Sequence, residues 1–449
     1  MPDMHTGLRS ASPTGLITSV VIVGGGYAGM IASNRLWASL TAAERAHTRV
    51  TIINPTDLFV HRIRLHEHAA RVADATLPLR SMIHSEVDLL VGQARRIDVV
   101  ARTVHVDTPA GKVDLRFDKL IYAVGSRSST HVPGVEEHAE TIGDVEGAEA
   151  IAHRIASGHV RRICVVGGGT TGVETAAELA EAHPELRVTL LAGDRLVGGF
   201  RPAARRSIRR SLERLGVEIL DGTRVTRVDP EGVTTSDGAE RAFDLVVWAA
   251  GFEVPDLAAR SGLPVDRHGR MLVDETLVCL TEPAILGAGD AVSPPDAVAA
   301  HLPMGARVAL PLGGAAAGTL LATLRRRKAE TISIGLLGPS ISLGRRNGYI
   351  QLAHPDDSPT PFAFTGRLGA LIKSWVCWMT IDTPSKERIR PGAYRVPRAP
   401  RNSGQGGRPR EGRPGGMQPL RPETIARGSV PLGCASSGLL PDGTFWALQ

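Results

Sequence analysis

Two glycine-rich turns constrain this chain more than any other feature. The first, GGGYAG at Gly24–Gly29, follows the apolar run TSVVIV (18–23) and precedes MIASNRLWASL. The second, GGGTTG at Gly167–Gly172, follows RICVV (162–166) and precedes VETAAELAEA. A second apolar run follows each helix pattern, RVTIIN at 49–54 and RVTLL at 187–191, so each turn sits inside a βαβ unit. In a G-x-G-x-x-G turn the first glycine allows the tight bend and the second leaves room for a pyrophosphate. The third lets helix and strand pack closely, while the helix N-terminus supplies N–H donors and partial positive charge. Gly24, Gly26 and Gly29 take these places in the first turn, with Gly25, Tyr27 and Ala28 between them; Gly167, Gly169 and Gly172 take them in the second. A single match is weak, because any tight turn produces it. Two matches in strand–turn–helix context predict an α/β fold with two Rossmann-like dinucleotide-binding domains.

With 449 residues, the chain has room for about three compact units at roughly 150 residues each. Hairpin patterns fill the space between the βαβ units: VARTVHVDT with a turn at Pro109-Ala110-Gly111, and later VTRVDPEGVTTSDG followed by LVVWA. The apolar, small-residue run GARVALPLGGAAAGTLLATLRRR predicts a long helix interrupted at Pro311. No run of about 18 apolar residues predicts a transmembrane helix, and the N-terminus lacks a signal-peptide layout. Both point to a cytoplasmic protein. Four scattered cysteines (Cys164, Cys279, Cys377, Cys434) offer neither a disulfide framework, nor a CxxC pair, nor a local metal site. Beyond 391 the composition turns to Pro, Gly and Arg without hydrophobic period, which predicts an unstructured tail over 391–449. That tail lacks interleaved aromatics, and the net charge of the whole chain is only +6, so no nucleic-acid partner is expected.

On these residues the chain resembles the two-dinucleotide-binding-domain flavoproteins, specifically their type II NADH dehydrogenase-like branch, over roughly residues 18–385. Two further segments carry the resemblance: LIYAVGS, ending at Gly125 and Ser126, and ILGAGD, ending at Gly289 and Asp290. The resemblance implies that the first turn holds FAD and the second NADH or NADPH. It also implies that Asp290 binds the ribitol chain, and that Glu174 and Gly251 lie beside the nicotinamide dinucleotide. Such enzymes pass a hydride from the dinucleotide to the flavin and electrons onward to an acceptor. The implied architecture is an FAD domain, 1–155 plus 265–330, split by a nucleotide domain at 156–264. A C-terminal interface domain at 331–390 and the tail complete it.

The departures from the family pattern are specific. Asn54 and Ala192 close the second strands, where the family has an acidic ribose acceptor. Ala192 removes a carboxylate that would repel a 2′-phosphate, and Arg195 follows three residues on, so the sequence leaves the nucleotide open while the resemblance favours NADH. The segment 57–70, where relatives carry redox cysteines, has none, which predicts direct transfer from flavin to a quinone-like acceptor. VAAHLPMGARVA lacks the glutamine of respiratory quinone sites; His301 within it either contacts the acceptor or caps a loop. RLGALIKSWVCWMTI (367–381) predicts a helix whose tryptophans suit an inner-membrane surface, a homodimer face or a packed core. Two alternative functions share the motifs: a redox-signalling flavoprotein resembling apoptosis-inducing factor, and a reductase of a ferredoxin-like protein.

Overall fold

The computed structural model describes residues 17–399. The chain begins with β1 (Thr18–Val23), α1 (Tyr27–Ser39), β2 (Thr48–Asn54), β3 (Asp88–Val91) and β4 (Lys119–Tyr122). It continues with β5 (Glu140–Thr141), β6 (Arg162–Val166), α2 (Thr170–Ala182), β7 (Arg187–Ala192), α3 (Pro202–Arg214), β8 (Glu218–Asp221) and β9 (Leu245–Trp248). Next come β10 (Ile285–Gly287) and α4 (Ala306–Leu324), then β11 (Ser340–Ser342), β12 (Gly348–Ala353), β13 (Pro359–Thr365) and α5 (Gly366–Lys386).

Two parallel five-stranded sheets organise the molecule, in the orders β10-β4-β1-β2-β3 and β5-β9-β6-β7-β8. The central strands are covered on both faces, which is why β1 and β6 carry continuous apolar stretches (VVIV and ICVV) rather than alternating ones. Strand β10 enters the first sheet only after the second has been completed. Helices α1 and α4 pack in close contact: a Cβ on Gly313 would stand 2.2 Å from the Ala28 carbonyl oxygen. The small residues of α4 therefore serve helix–helix approach. Among the described residues α4 is the one helix long and apolar enough to cross a bilayer, but two-thirds of it is buried inside the protein, as in a core helix. It also runs through Pro311 as a single element, against the predicted interruption. The hairpin at Thr103–Thr108 and Gly111–Arg116 forms as its turn residues require.

An antiparallel sheet, β11-β12-β13, and α5 make the last block. The first residues of the Pro/Gly/Arg-rich segment, 391–399, form no helix or strand, as their composition suggests, but they are tied to the body rather than loose. Glu387, fully buried, accepts from Arg35 and from the backbone N–H groups of Gly392 and Tyr394, and the Pro397 carbonyl accepts from Gly335. The Tyr394 carbonyl also accepts from Arg35 and the Ala399 carbonyl from Ser333, so the chain is tied to the body as far as 399; residues 400–449 of the expected tail lie outside the described residues.

Candidate dinucleotide sites

The two glycine turns are structural copies of each other. Gly24 and Gly167 have φ of 107° and 136°, and a Cβ on either would collide with a backbone carbonyl, that of Ala123 or Ala249. A Cβ on Gly29 would lie 1.8 Å from the Gly24 carbonyl oxygen, and one on Gly172 would lie 1.9 Å from that of Gly167. The hydrogen bonds repeat as well: Gly24 N–H donates to Ile53 and Gly167 N–H to Leu191, in both cases the penultimate residue of the neighbouring strand. Gly26 and Gly169 are the N-caps of α1 and α2, with no side chain capping either helix. A Cβ on Gly26 would meet no other atom within 4 Å, so the space beside it is open. Bare N–H groups at a helix N-terminus, next to open space that a larger residue would fill, are what a pyrophosphate requires. Gly125 (φ 70°) and Gly251 (φ 77°) also correspond, each two residues past the alanine that crowds its turn.

Asn54 does not stand free at the end of β2. Its Oδ1 accepts from Gly25 N–H at 2.9 Å, and its Nδ2 donates to the carbonyls of Thr56 and Leu58. It braces the first turn. Tyr27 and Ala28 are buried at the start of α1; the Tyr27 ring meets Phe59 edge to face at 5.2 Å. Asp290 accepts from Ser126 Oγ at 2.8 Å and, through its other oxygen, from Gly305 N–H at 2.7 Å. It therefore joins the loop after β4 to the N-terminus of α4. Gly289 (φ 80°) brings this loop against Ala28, whose Cβ would lie 3.2 Å from a Cβ placed on the glycine.

Glu174 is neither exposed nor turned towards an open cleft. Its Oε1 accepts from Ser342 N–H at 2.7 Å and pairs with Lys373 Nζ at 3.0 Å, and both side chains are nearly closed to solvent. Burial raises the Glu174 carboxyl pKa, opposed by the Lys373 charge and the Ser342 N–H. Burial works against the Lys373 ammonium too, but the Glu174 carboxylate carries its pKa upward. Further along α2, Glu178 pairs with Arg345, and Glu181 accepts from the Arg345 N–H. One face of α2 is thereby clamped to the last block. Lys373 belongs to the inner face of α5 with Cys377 and Thr380, whereas Leu368, Leu371, Trp375 and Trp378 form the outer, exposed face.

His301 donates from Nε2 to the Ile334 carbonyl at 2.7 Å, tying the loop before α4 to the following segment. Arg195 is exposed on the loop after β7, with no side-chain partner among the described residues. Cys164, Cys279 and Cys377 are buried as free thiols, and burial pushes the Cys164 and Cys377 thiols up. Since the thiolate is the reactive form, these two are poorly suited to exchange chemistry. Cys434 lies outside the described residues.

The cysteine-free segment 57–70 holds features the sequence did not disclose. Arg62 donates to the Ser126 and Gly143 carbonyls, its face lies over Phe252, and its Nη2 is buried without a partner. His61 Nε2 meets Thr380 Oγ1 at 3.1 Å; because that hydroxyl donates to the Cys377 carbonyl, the ring is assigned as the Nε2–H donor. His66 is buried with no hydrogen-bond partner for Nε2, the Glu67 carboxylate standing 3.9 Å away. Burial, then nearby cations, lowers both imidazoles to a pKa of about 3, so both rings are neutral. An orphaned guanidinium nitrogen beside the Asp290–Ser126 pair fits a polar group bound there, since buried donors seldom go unsatisfied.

Comparison with known proteins agrees with this geometry. A family model described as pyridine nucleotide-disulphide oxidoreductase matches residues 18–310. An NADH dehydrogenase-like protein of Mycobacterium tuberculosis is 31% identical over 299 residues, covering 61% of this chain and 72% of that protein. A type II NADH:quinone oxidoreductase of Haemophilus influenzae is 26% identical over 346 residues, covering 63% and 77%. In fold, the chain is similar to the solved structure of NDH2 from Plasmodium falciparum in complex with NADH, with a TM-score of 0.66 at 16% identity over 83% of this chain and 98% of that one.

Proposed function

The chain belongs to the pyridine nucleotide-disulphide oxidoreductase family, and from that premise we propose that it is an FAD-dependent reductase. It oxidises NADH or NADPH and delivers the electrons to a quinone-like acceptor without a cysteine relay. The observation that carries this reading is the duplication of the glycine turn, down to matching collisions and hydrogen bonds, on two parallel sheets of one chain. One dinucleotide site would suit many functions; two suit an enzyme that passes electrons between dinucleotides.

Gly24, Gly26 and Gly29 would hold the FAD pyrophosphate, with Asn54 fixing their turn and Asp290 and Arg62 supplying polar contacts deeper in the site. Gly167, Gly169 and Gly172 would hold the nicotinamide dinucleotide, with Gly251 opposite. Bound flavin supplies the two-electron centre that the side chains lack. Glu174 acts as a positioning residue: its pair with Lys373 fixes the start of α2 against α5. His301, spent on Ile334, holds the loop before α4. The names of the relatives support a quinone acceptor. The outer apolar face of α5 offers a surface by which the protein meets the membrane where such acceptors reside.

Release of the chromophore from purified protein, followed by mass analysis, tests the flavin assignment. FAD at about one per chain is expected. Well-folded protein without flavin would overturn the proposal.

A further inference from the structure

The corner that receives the adenosine ribose at the second turn is built differently from its counterpart at the first, and the difference bears on which dinucleotide enters. A Cβ on Gly25 would meet the Asn54 side chain at 3.1 Å; a Cβ on the corresponding Gly168 would meet the Ala192 Cβ at 2.6 Å. Asn54 and Ala192 therefore occupy the same place in the two copies. An acidic residue at that place accepts the ribose 2′-hydroxyl and repels a 2′-phosphate, whereas arginines nearby accommodate the phosphate. Ala192 does neither.

The loop that follows is folded firmly onto the turn. Val197 N–H donates to the Gly168 carbonyl at 2.7 Å, Leu196 N–H to Asp221 at 2.7 Å, Gly222 N–H to the Asp194 carbonyl, and Thr223 N–H to the Ala192 carbonyl. Val197 holds φ at 40°, unusual for a β-branched residue, while fully buried. Two arginines flank the corner. Arg195 is exposed, with its carbonyl oxygen 3.5 Å from a Cβ on Gly168; the Arg224 stem runs 3.6 Å from a Cβ on Gly193. Neither side chain has a partner among the described residues. Of the carboxylates here, Asp221 is already engaged by Leu196 N–H and Arg209, which leaves Asp194 on the exposed loop.

We propose that the second site selects the 2′-phosphorylated dinucleotide, NADPH, with Arg195 and Arg224 as specificity-determining residues that grip the phosphate. This rests on the function proposed above and deepens it. Arginine suits the task because its planar donor fork matches phosphate geometry and its charge is permanent.

Two measurements decide it. Calorimetric titration of the flavin-loaded protein with 2′,5′-ADP and 5′-AMP reads the corner without turnover. Tighter binding of 2′,5′-ADP by about tenfold or more is expected, with the gap closing in Arg195→Ala and Arg224→Ala. Anaerobic flavin reduction should likewise be more efficient with NADPH than with NADH by a similar factor. Equal or better reduction by NADH overturns the selectivity and leaves the reductase reading standing. A preference for NADPH that survives both arginine substitutions overturns the assignment to these residues. If neither nucleotide reduces the flavin, the underlying function has failed along with the inference.

Discussion

Lys373 Nζ lies 3.0 Å from Glu174 Oε1, linking the helix that opens from the second glycine turn to α5. The contact joins parts of the chain far apart in sequence, and it is nearly dry. Breaking one side of a buried pair leaves an uncompensated charge. Glu174→Gln and Lys373→Met should each destabilise the protein by about 3–5 kcal/mol, and the double variant by less than their sum. Denaturant unfolding of the four proteins checks this; simple additivity would show that the pair does not act as a unit.

His61 and His66 predict an acid-sensitive fold. Each has a folded pKa of about 3 against 6.5 for a free imidazole, so between those values the unfolded chain binds more protons. Their contribution is complete above pH 6.5 and is lost as the pH falls towards 3. Well inside that window each ring costs about 1.4 kcal/mol per pH unit. Unfolding free energies at a series of pH values should show a shallower acid decline in His66→Leu than in the parent. Identical slopes would mean that the ring does not titrate on unfolding.

The glycine turns give contrasting substitutions. Gly26 has open space around it and an extended ψ, so Gly26→Val should fold, at the modest cost of a poorer N-cap, about 1 kcal/mol. It should also fill the pyrophosphate space and leave the purified protein colourless. A Cβ in Gly29→Ala meets the Gly24 carbonyl oxygen at 1.8 Å and should impair folding itself. Circular dichroism with the visible spectrum separates the two effects. A yellow, fully loaded Gly26→Val protein would contradict the placement of FAD.

The outer face of α5 predicts membrane binding. Leu368, Leu371, Trp375 and Trp378, with Phe362 on β13, are exposed apolar side chains on the last block. Cosedimentation with anionic phospholipid vesicles should pull down the protein, and Trp375→Ser with Trp378→Ser should weaken that several-fold, about 1 kcal/mol or more. Recovery of both proteins only in the supernatant would assign the face to something other than a bilayer.

Both dinucleotide units are legible in the sequence because their information is local: the glycines and flanking strands lie within a few tens of residues. Gly125 and Gly251 belong to the same repeated pattern. What the sequence does not disclose depends on contacts across the chain. Lys373 lies within the tryptophan-bearing run 367–381, yet the helix phase turns it inward to Glu174. Arg62, His61 and His66 sit in a segment notable only for lacking cysteine; His61 meets Thr380 of α5 and Arg62 meets the Ser126 loop, contacts between parts of the chain far apart in sequence. Pro311 predicts a break in a helix that in fact runs through it, and Glu387 anchors a stretch whose composition predicts no anchor.

The most direct test of the central claim is anaerobic sequential mixing under a visible spectrometer: protein with NADPH or NADH first, then a short-chain quinone. The oxidised-flavin band should bleach with the dinucleotide and return on each addition of quinone, with no cysteine-alkylating agent able to prevent the cycle. A band that bleaches and stays bleached with quinone present would contradict the proposed acceptor. One that the dinucleotides never bleach would contradict the reductase itself.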